Sequence, residues 1–251
     1  MLATLVLVVC CGHASAALLS VRGDARDPAS ERLLYREEHL LREAGGAPQR
    51  RLVTYRCPDG TAFARKEVDY RGSAMAPAFG LVDARDGHRE GLRRSGTTVS
   101  VYSGDKRARL DAGGPDGRLV ADAGFDVFLR HHWDDLLARR AVTLRFAVPA
   151  YTRDVAFKVH SLGAASIDGA PVQAFRLQLG GLLSLVSPRI DVAYDARTRE
   201  LRRYTGVTNI RSDAGKPLTA RIDFATPAQP ADETRWHSAH AEPLTRCKLG
   251  A

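Results

Sequence analysis

The chain has 251 residues, 44% of them hydrophobic and 26% charged, which is ordinary for a folded domain and excludes collagen, coiled coil and general disorder. The formal net charge is +8, from 37 Lys or Arg against 29 Asp or Glu. The sequence has no long run of basic residues, no zinc-finger spacing and no aromatic RNA-binding motif, so the charge does not indicate a nucleic-acid partner. We expect a single large domain.

The first segment has the pattern of an export signal. Residues 2–11 form an apolar run that is shorter than the roughly 20 residues needed to cross a bilayer. The stretch that follows, 14–16, is Ala-Ser-Ala, the small-residue pattern of a cleavage site. We therefore expect a signal peptide over 1–16, cleavage after Ala16, and a periplasmic or secreted mature protein. Lipidation at Cys10 or Cys11 and a buried N-terminal element are the alternatives, since no basic residue precedes the apolar run.

Export leaves two cysteines in the mature chain, Cys57 and Cys247. Two cysteines in an oxidising compartment can form a disulfide, which here would tie the end of the chain back to an early hairpin. The alternative is two unpaired thiols. The sequence contains no Cys-x-x-Cys and no Cys/His cluster, so it predicts no metal and no cofactor.

The rest of the chain is dominated by strand patterns. Residues 17–30 are a short polar lead-in, and a single β-rich domain is expected over 31–225. Turn sequences such as Pro58-Asp59-Gly60 separate stretches of alternating apolar and polar residues. This pattern predicts about ten or eleven antiparallel strands. Residues 226–251 contain prolines and few apolar residues, and they predict a disordered tail.

One segment has the period of a helix. Its apolar residues recur at i, i+3, i+4, i+7 and i+8, the stripe of an amphipathic helix; they are Phe125, Phe128, Leu129, His132, Trp133, Leu136 and Leu137. Asp122 precedes them as an N-cap, and the predicted helix ends near Arg139. The expected fold is therefore mainly β: a strongly curved antiparallel sheet, or half-barrel, with one amphipathic helix packed on its concave face.

Several segments resemble those of uncharacterised periplasmic proteins of mainly-β architecture. The segments are 35–39, 55–60, 124–133 and 208–211. The signal, the long strands and the helix laid on the sheet also resemble the half-barrel lipoprotein-handling (lipoprotein carrier) factors of the bacterial envelope. That resemblance is one of architecture and implies a half-barrel fold. By analogy it also implies a cavity for an apolar ligand.

The residues favour binding over catalysis. The concave face and the helix supply a set of large apolar side chains that would line a ligand cavity, with the helix as plug or lid: Phe63, Leu144, Phe146, Phe157, Phe175, Leu177, Ile190 and Trp133. The alternative is a core filled by the same side chains. The expected ligand is an apolar small molecule or lipid, with a lipoprotein or envelope protein as partner and peripheral contact with a membrane.

Catalytic signatures are absent from the sequence, including Gly-x-Ser-x-Gly, His-Glu-x-x-His and phosphate-binding loops. Alternation places Glu37 and His39 on one strand face, which makes them candidates for acid/base chemistry in an envelope hydrolase. Neighbouring polar residues on a strand are otherwise a solvated face. His131 and Asp135 are spaced i, i+4 and could meet a metal, but that spacing more often marks a surface pair. A third hypothesis is a protein-interaction scaffold without a ligand.

Overall fold

The computed structural model describes residues 16–96, 98–112, 119–179, 189–225 and 227–250. The expected signal segment lies outside this part of the chain, except for Ala16, which is the first residue of a strand. Among the described residues, none of the helices has the length and apolar character of a membrane-spanning segment.

The described residues form one open sheet of 16 strands, curved as a half-barrel. The first eight strands are β1 (Ala16–Arg26), β2 (Leu33–Ala44), β3 (Ala47–Arg56), β4 (Ala62–Asp69), β5 (Ala78–Asp83), β6 (Arg89–Ser95), β7 (Thr98–Ser103) and β8 (Lys106–Leu110). The second eight are β9 (Leu119–Ala121), β10 (Val142–Val148), β11 (Arg153–Ile167), β12 (Ala170–Leu179), β13 (Ile190–Asp195), β14 (Leu201–Arg211), β15 (Pro217–Phe224) and β16 (Gln229–Pro230).

The sheet is two meanders joined at β1. The strand order is β8-β7-β6-β5-β4-β3-β2-β1-β15-β14-β13-β12-β11-β10-β9, with β16 paired to β1. Neighbours along this order are antiparallel except β9 and β10, which are parallel. Hairpin connections between consecutive strands explain this arrangement, because turn sequences recur throughout the chain. The mainly-β, curved-sheet prediction is confirmed, with more strands than expected.

The strand that differs most from the sequence prediction lies at the centre of the sheet. Residues 17–30 were expected to be a polar lead-in, but they include β1, which pairs with both β2 and β15. The alternation of β1 is weak because the core-facing position opposite Phe224 is a glycine. A Cβ at Gly23 would lie only 2.9 Å from both Ile222 and Phe224. The neighbouring strand thus supplies the apolar bulk that β1 itself lacks.

The helical segment is divided into two short helices. They are α1 (Gly124–His131) and α2 (Trp133–Leu137), and neither has a side-chain hydrogen bond at its N-cap. Asp122 is not the N-cap, because its backbone is left-handed (φ 43°) and its carboxylate binds a lysine instead. At Gly124 the backbone of Met75 passes so closely that a Cβ would lie 2.1 Å from its carbonyl oxygen. This crossing fixes where α1 begins.

The C-terminal segment is ordered, in contrast to the tail predicted over 226–251. Asp232 caps a third helix, α3 (Glu233–Ala241), by accepting a hydrogen bond from the Arg235 backbone N–H. Trp236 of α3 is 7% exposed and packs on the outer face of the sheet against Leu40 and Leu52. Trp236 is the one buried residue of α3, and a hydrophobicity average over the segment hides such a contact.

A disulfide fixes the end of that segment. Cys57, after β3, is bonded to Cys247, after α3, across 190 positions. The backbone N–H of Gly250 also donates to the carbonyl of Leu34, and the Thr245 N–H donates to that of Ala62. We call residues 227–250 the C-terminal strap. These contacts hold the strap against β2–β4.

Candidate ligand-binding site

The interior face of β10–β13 and the two helices enclose one apolar layer, which we call the helix-covered layer. Four of the expected ligand-binding residues are buried in it together: Trp133, Leu144, Phe175 and Leu177. Three more are partly buried against it: Phe146, Phe157 and Ile190. The register explains this grouping, because directly paired residues such as Leu144 and Phe157 share a sheet face.

Phe63, the eighth expected residue, lies elsewhere. It belongs to a separate cluster with Tyr35 and Tyr55, and its ring centroid is 6.3 Å from each of theirs. The guanidinium of Arg85 lies 4.5 Å from the Phe63 ring. Phe63 is fully buried, so its surroundings are those of a structural core position.

Trp133 fills the centre of the helix-covered layer. Its ring makes edge-on contacts with Phe175 at 5.1 Å and with Tyr194 at 5.9 Å between centroids, and Arg199 lies 5.0 Å over it. Trp133 is 3% exposed. The middle of the layer is therefore filled by the protein's own side chains. Any contact with a ligand would be made at the margin of the layer.

The margin of the layer is apolar and reaches the surface. Four of the partly buried residues along this margin lie on β10, β11 and β13, and we call them the rim: Val142, Phe146, Phe157 and Ile190. The rings of Phe146 and Phe157 meet edge-on at 6.1 Å. Leu137, the last residue of α2, is 46% exposed. Large apolar side chains that stay partly exposed beside a buried apolar layer are candidates for a binding surface.

Glu37 and His39 lie side by side on the interior face of β2, as their spacing predicts. Glu37 Oε2 and His39 Nε2 are 2.8 Å apart, and both side chains are largely buried. Burial lowers the pKa of His39, and the hydrogen bond to Glu37 opposes this only in part. The pair lines neither the cleft at α3 nor the hollow on β6–β8 that are described below. Its catalytic role stays a prediction.

A buried charged cluster in the interior was not expected from the sequence. Lys66 Nζ lies 2.7 Å from Asp122 Oδ1 and 3.3 Å from the side-chain oxygen of Asn209. Asn209 donates to Glu90, whose other oxygen is 3.3 Å from His88 Nε2. The available signal was Lys66 itself, which stands between Ala64 and Val68 on an otherwise apolar strand face.

Buried phenols surround the carboxylate of Glu37. Desolvation, together with the nearby charge of Glu37, raises the pKa of Tyr35, Tyr55 and Tyr204. Tyr204 donates its hydroxyl hydrogen bond to the carbonyl of Val207. The interior around Glu37, under β2, β3 and β14, is therefore a packed mixture of rings and polar groups.

The structure describes no metal centre. Within residues 16–96, 98–112, 119–179, 189–225 and 227–250, no three His, Cys, Asp or Glu side chains are grouped to hold an ion. Of the two neighbouring histidines it is His132, rather than His131, that lies near Asp135, with 3.7 Å between Nδ1 and Oδ2.

A cleft of about 490 Å³ lies between α3 and the outer face of β2 and β3. Arg56 lines it, and its guanidinium is held by Glu38 at 2.8 Å and by both carboxylate oxygens of Glu242. The hydrogen bonds to Glu242 raise the pKa of Arg56 further. Two carboxylates neutralise this cation, and its pair with Glu242 helps to hold the C-terminal strap against the sheet.

Comparisons with known proteins give fold-level similarity alone. No family model matches the chain, and no curated protein matches it. A β-barrel-like protein of a domain of unknown function from Brucella abortus aligns at 12% identity and a TM-score of 0.47, over 86% of this chain and 98% of that one. A domain assigned to outer-membrane lipoprotein sorting, from Vibrio parahaemolyticus, aligns at 8% identity and a TM-score of 0.30, over 90% and 91%. A LolA-superfamily protein from Nitrosomonas europaea aligns at 10% identity and a TM-score of 0.23, over 87% of each chain.

These neighbours include the class of protein that the sequence resembles. At such identities and TM-scores, none of them carries its function over to this chain.

Proposed function

We propose that the protein is a binding or carrier protein of the bacterial envelope that takes an apolar chain of a lipid, lipoprotein or other amphiphile at the rim of the helix-covered layer. The observation that carries the proposal is the rim itself. Val142, Phe146, Phe157 and Ile190 are partly exposed and are continuous with a buried apolar layer. An acyl chain lying on them would cover the apolar surface that they leave open to water.

The helices over the layer are held chiefly by apolar burial. α2 has five residues, and neither α1 nor α2 has a side-chain hydrogen bond at its N-cap. Their attachment rests on the burial of Phe128, Leu129, Trp133 and Leu136. A ligand chain that replaced part of this contact would exchange one apolar surface for another at little cost.

Location in the envelope is supported by the cysteines. The bond between Cys57 and Cys247 is of the kind that persists in oxidising compartments and is rare in the cytosol. Together with the export pattern of residues 1–16, it supports a periplasmic or secreted protein.

The test is titration of the purified protein with an apolar fluorescent probe. Wild-type protein should bind the probe, and the double variant Phe146→Ala/Phe157→Ala should weaken binding by roughly tenfold or more, because two aromatic contacts are lost. Leu162→Ala is the matched control, since Leu162 is an exposed apolar residue on the same strand as Phe157 but outside the rim. It should bind the probe as tightly as wild type.

Organic extraction of protein purified from its native envelope, followed by mass spectrometry, should identify the co-purified amphiphile. Two results would refute the proposal: a wild-type protein that binds no probe and carries no amphiphile, or equal probe binding by the rim and control variants.

A further inference from the structure

A shallow hollow of about 270 Å³ lies on the outer face of β6–β8, at one end of the sheet. Its lining includes three arginines, Arg93, Arg107 and Arg109, all exposed, together with Ser100 and Tyr102. We call these five residues the arginine patch. It lies outside the helix-covered layer and takes no part in the function proposed above.

The strand register brings these side chains to one face. Tyr102 pairs with Arg107, while Ser100 pairs with Arg109 on one side and with Arg93 on the other. Directly paired residues point to the same side of a sheet. The arrangement is thus built into the hairpins of β6, β7 and β8 and does not depend on the conformation of a loop.

Tyr102 is held in place across this face. The guanidinium of Arg93 lies 5.0 Å from the ring centroid. Gly91 and Gly80 leave room for the other end of the ring, since a Cβ at these positions would lie 2.8 Å and 3.1 Å from the Tyr102 hydroxyl. An aromatic ring with a polar tip is therefore fixed among three cations.

The three arginines have no carboxylate partner within the part of the chain that the structure describes. The opposite half of the sheet differs. There Arg145 is paired with Asp154, Arg176 with Asp191 and Arg203 with Asp223. Three uncompensated guanidinium groups on one surface repel one another and favour an anionic partner.

We propose that the arginine patch docks the protein on an anionic phospholipid surface. Guanidinium groups form paired hydrogen bonds to phosphate oxygens, so Arg93, Arg107 and Arg109 would bind lipid phosphates. Tyrosine is typical of the membrane–water interface, where its ring meets acyl chains and its hydroxyl meets water, and Tyr102 would take that place. A lipid surface suits the patch better than nucleic acid, because the Cys57–Cys247 disulfide indicates an exported protein.

The test is co-sedimentation of the full-length mature protein with vesicles. Binding to vesicles containing phosphatidylglycerol should exceed binding to pure phosphatidylcholine vesicles, and it should weaken as salt is raised. Each basic residue near an anionic surface contributes roughly a fivefold factor, so Arg93→Gln/Arg107→Gln/Arg109→Gln should weaken binding on the order of 100-fold.

The matched control removes the same charge from exposed turn positions elsewhere, by Arg32→Gln/Arg197→Gln/Lys216→Gln. The control should retain most of the binding, and circular dichroism should show that both triple variants are folded. Equal losses in the two variants would overturn the proposal in favour of attraction by net charge alone. Binding to duplex RNA as tight as binding to the anionic vesicles would overturn the choice of a lipid partner, and so would failure of wild type to bind those vesicles. Probe binding at the rim is a separate readout and should be unchanged in the patch variant.

Discussion

The ion pair between Lys66 and Asp122 can be tested by removing one partner. Lys66 Nζ is 2.7 Å from Asp122 Oδ1, and the two side chains are 10% and 2% exposed. Asp122 Oδ2 is buried without a hydrogen-bond partner. Lys66→Met would therefore leave a buried carboxylate with both oxygens unpaired, and we expect it to lower the free energy of unfolding by about 3–5 kcal/mol. Urea denaturation followed by circular dichroism measures the change.

A second substitution tests the cause. Asp122→Asn removes the buried charge without adding backbone strain, because asparagine tolerates the left-handed backbone at this position. The double variant Lys66→Met/Asp122→Asn should lose at least about 1 kcal/mol less than the sum of the single losses. The control is Arg176→Met, which breaks a partly exposed pair with Asp191, whose side chains are 27% and 37% exposed, and it should cost no more than about 1 kcal/mol. The reasoning is refuted if Lys66→Met costs no more than the control, or if the two single losses simply add.

Two further perturbations address the disulfide and the buried histidine. Cys57→Ala/Cys247→Ala should lower the free energy of unfolding by about 2–5 kcal/mol and open the strap to trypsin at Arg246; a digestion pattern identical to wild type would contradict this. His39 has a pKa below its ordinary 6.5 because it is buried, so the unfolded chain binds a proton more readily than the folded one. The contribution of neutral His39 to the free energy of unfolding should therefore be fully present above pH 6.5. It should be lost as the pH falls towards the lower pKa of His39 in the folded protein. In His39→Gln, urea titrations over the same pH range should show a weaker fall, and an unchanged pH dependence would show that His39 is not the group responsible.

The alternation of apolar and polar residues is sufficient to predict a strand wherever one face of that strand is uniformly apolar. Val142, Leu144 and Phe146 alternate in sequence and lie on one interior face in the structure. The same alternation predicts that Glu37 and His39 share a face, and in the structure Glu37 Oε2 and His39 Nε2 are 2.8 Å apart. Seven of the eight expected ligand-binding residues share one layer because all seven belong to β10–β13 or to α2, which pack on one another. Phe63 falls outside because it lies on β4, across the sheet.

Pattern was insufficient where a residue's role depends on a distant neighbour. β1 lacks a clear alternation because Phe224 fills the space above Gly23. α3 is not predicted from the sequence because only one of its residues, Trp236, is buried, which leaves no apolar stripe in the pattern.

The amino-acid sequence by itself determined the strand-rich class, the apolar helix stripe and the two cysteines that lie outside the N-terminal apolar run. These features depend on residue type and on spacing along the chain. Residues two positions apart share a face of a strand, and residues three or four positions apart share a face of a helix. The tertiary structure alone decided that Asp122 pairs with Lys66 rather than capping α1, and that Arg93 and Arg109 meet on one face without carboxylate partners in the described chain. Each of these depends on which strands become neighbours, and strand pairing is fixed by the burial of the whole sheet rather than by any one segment.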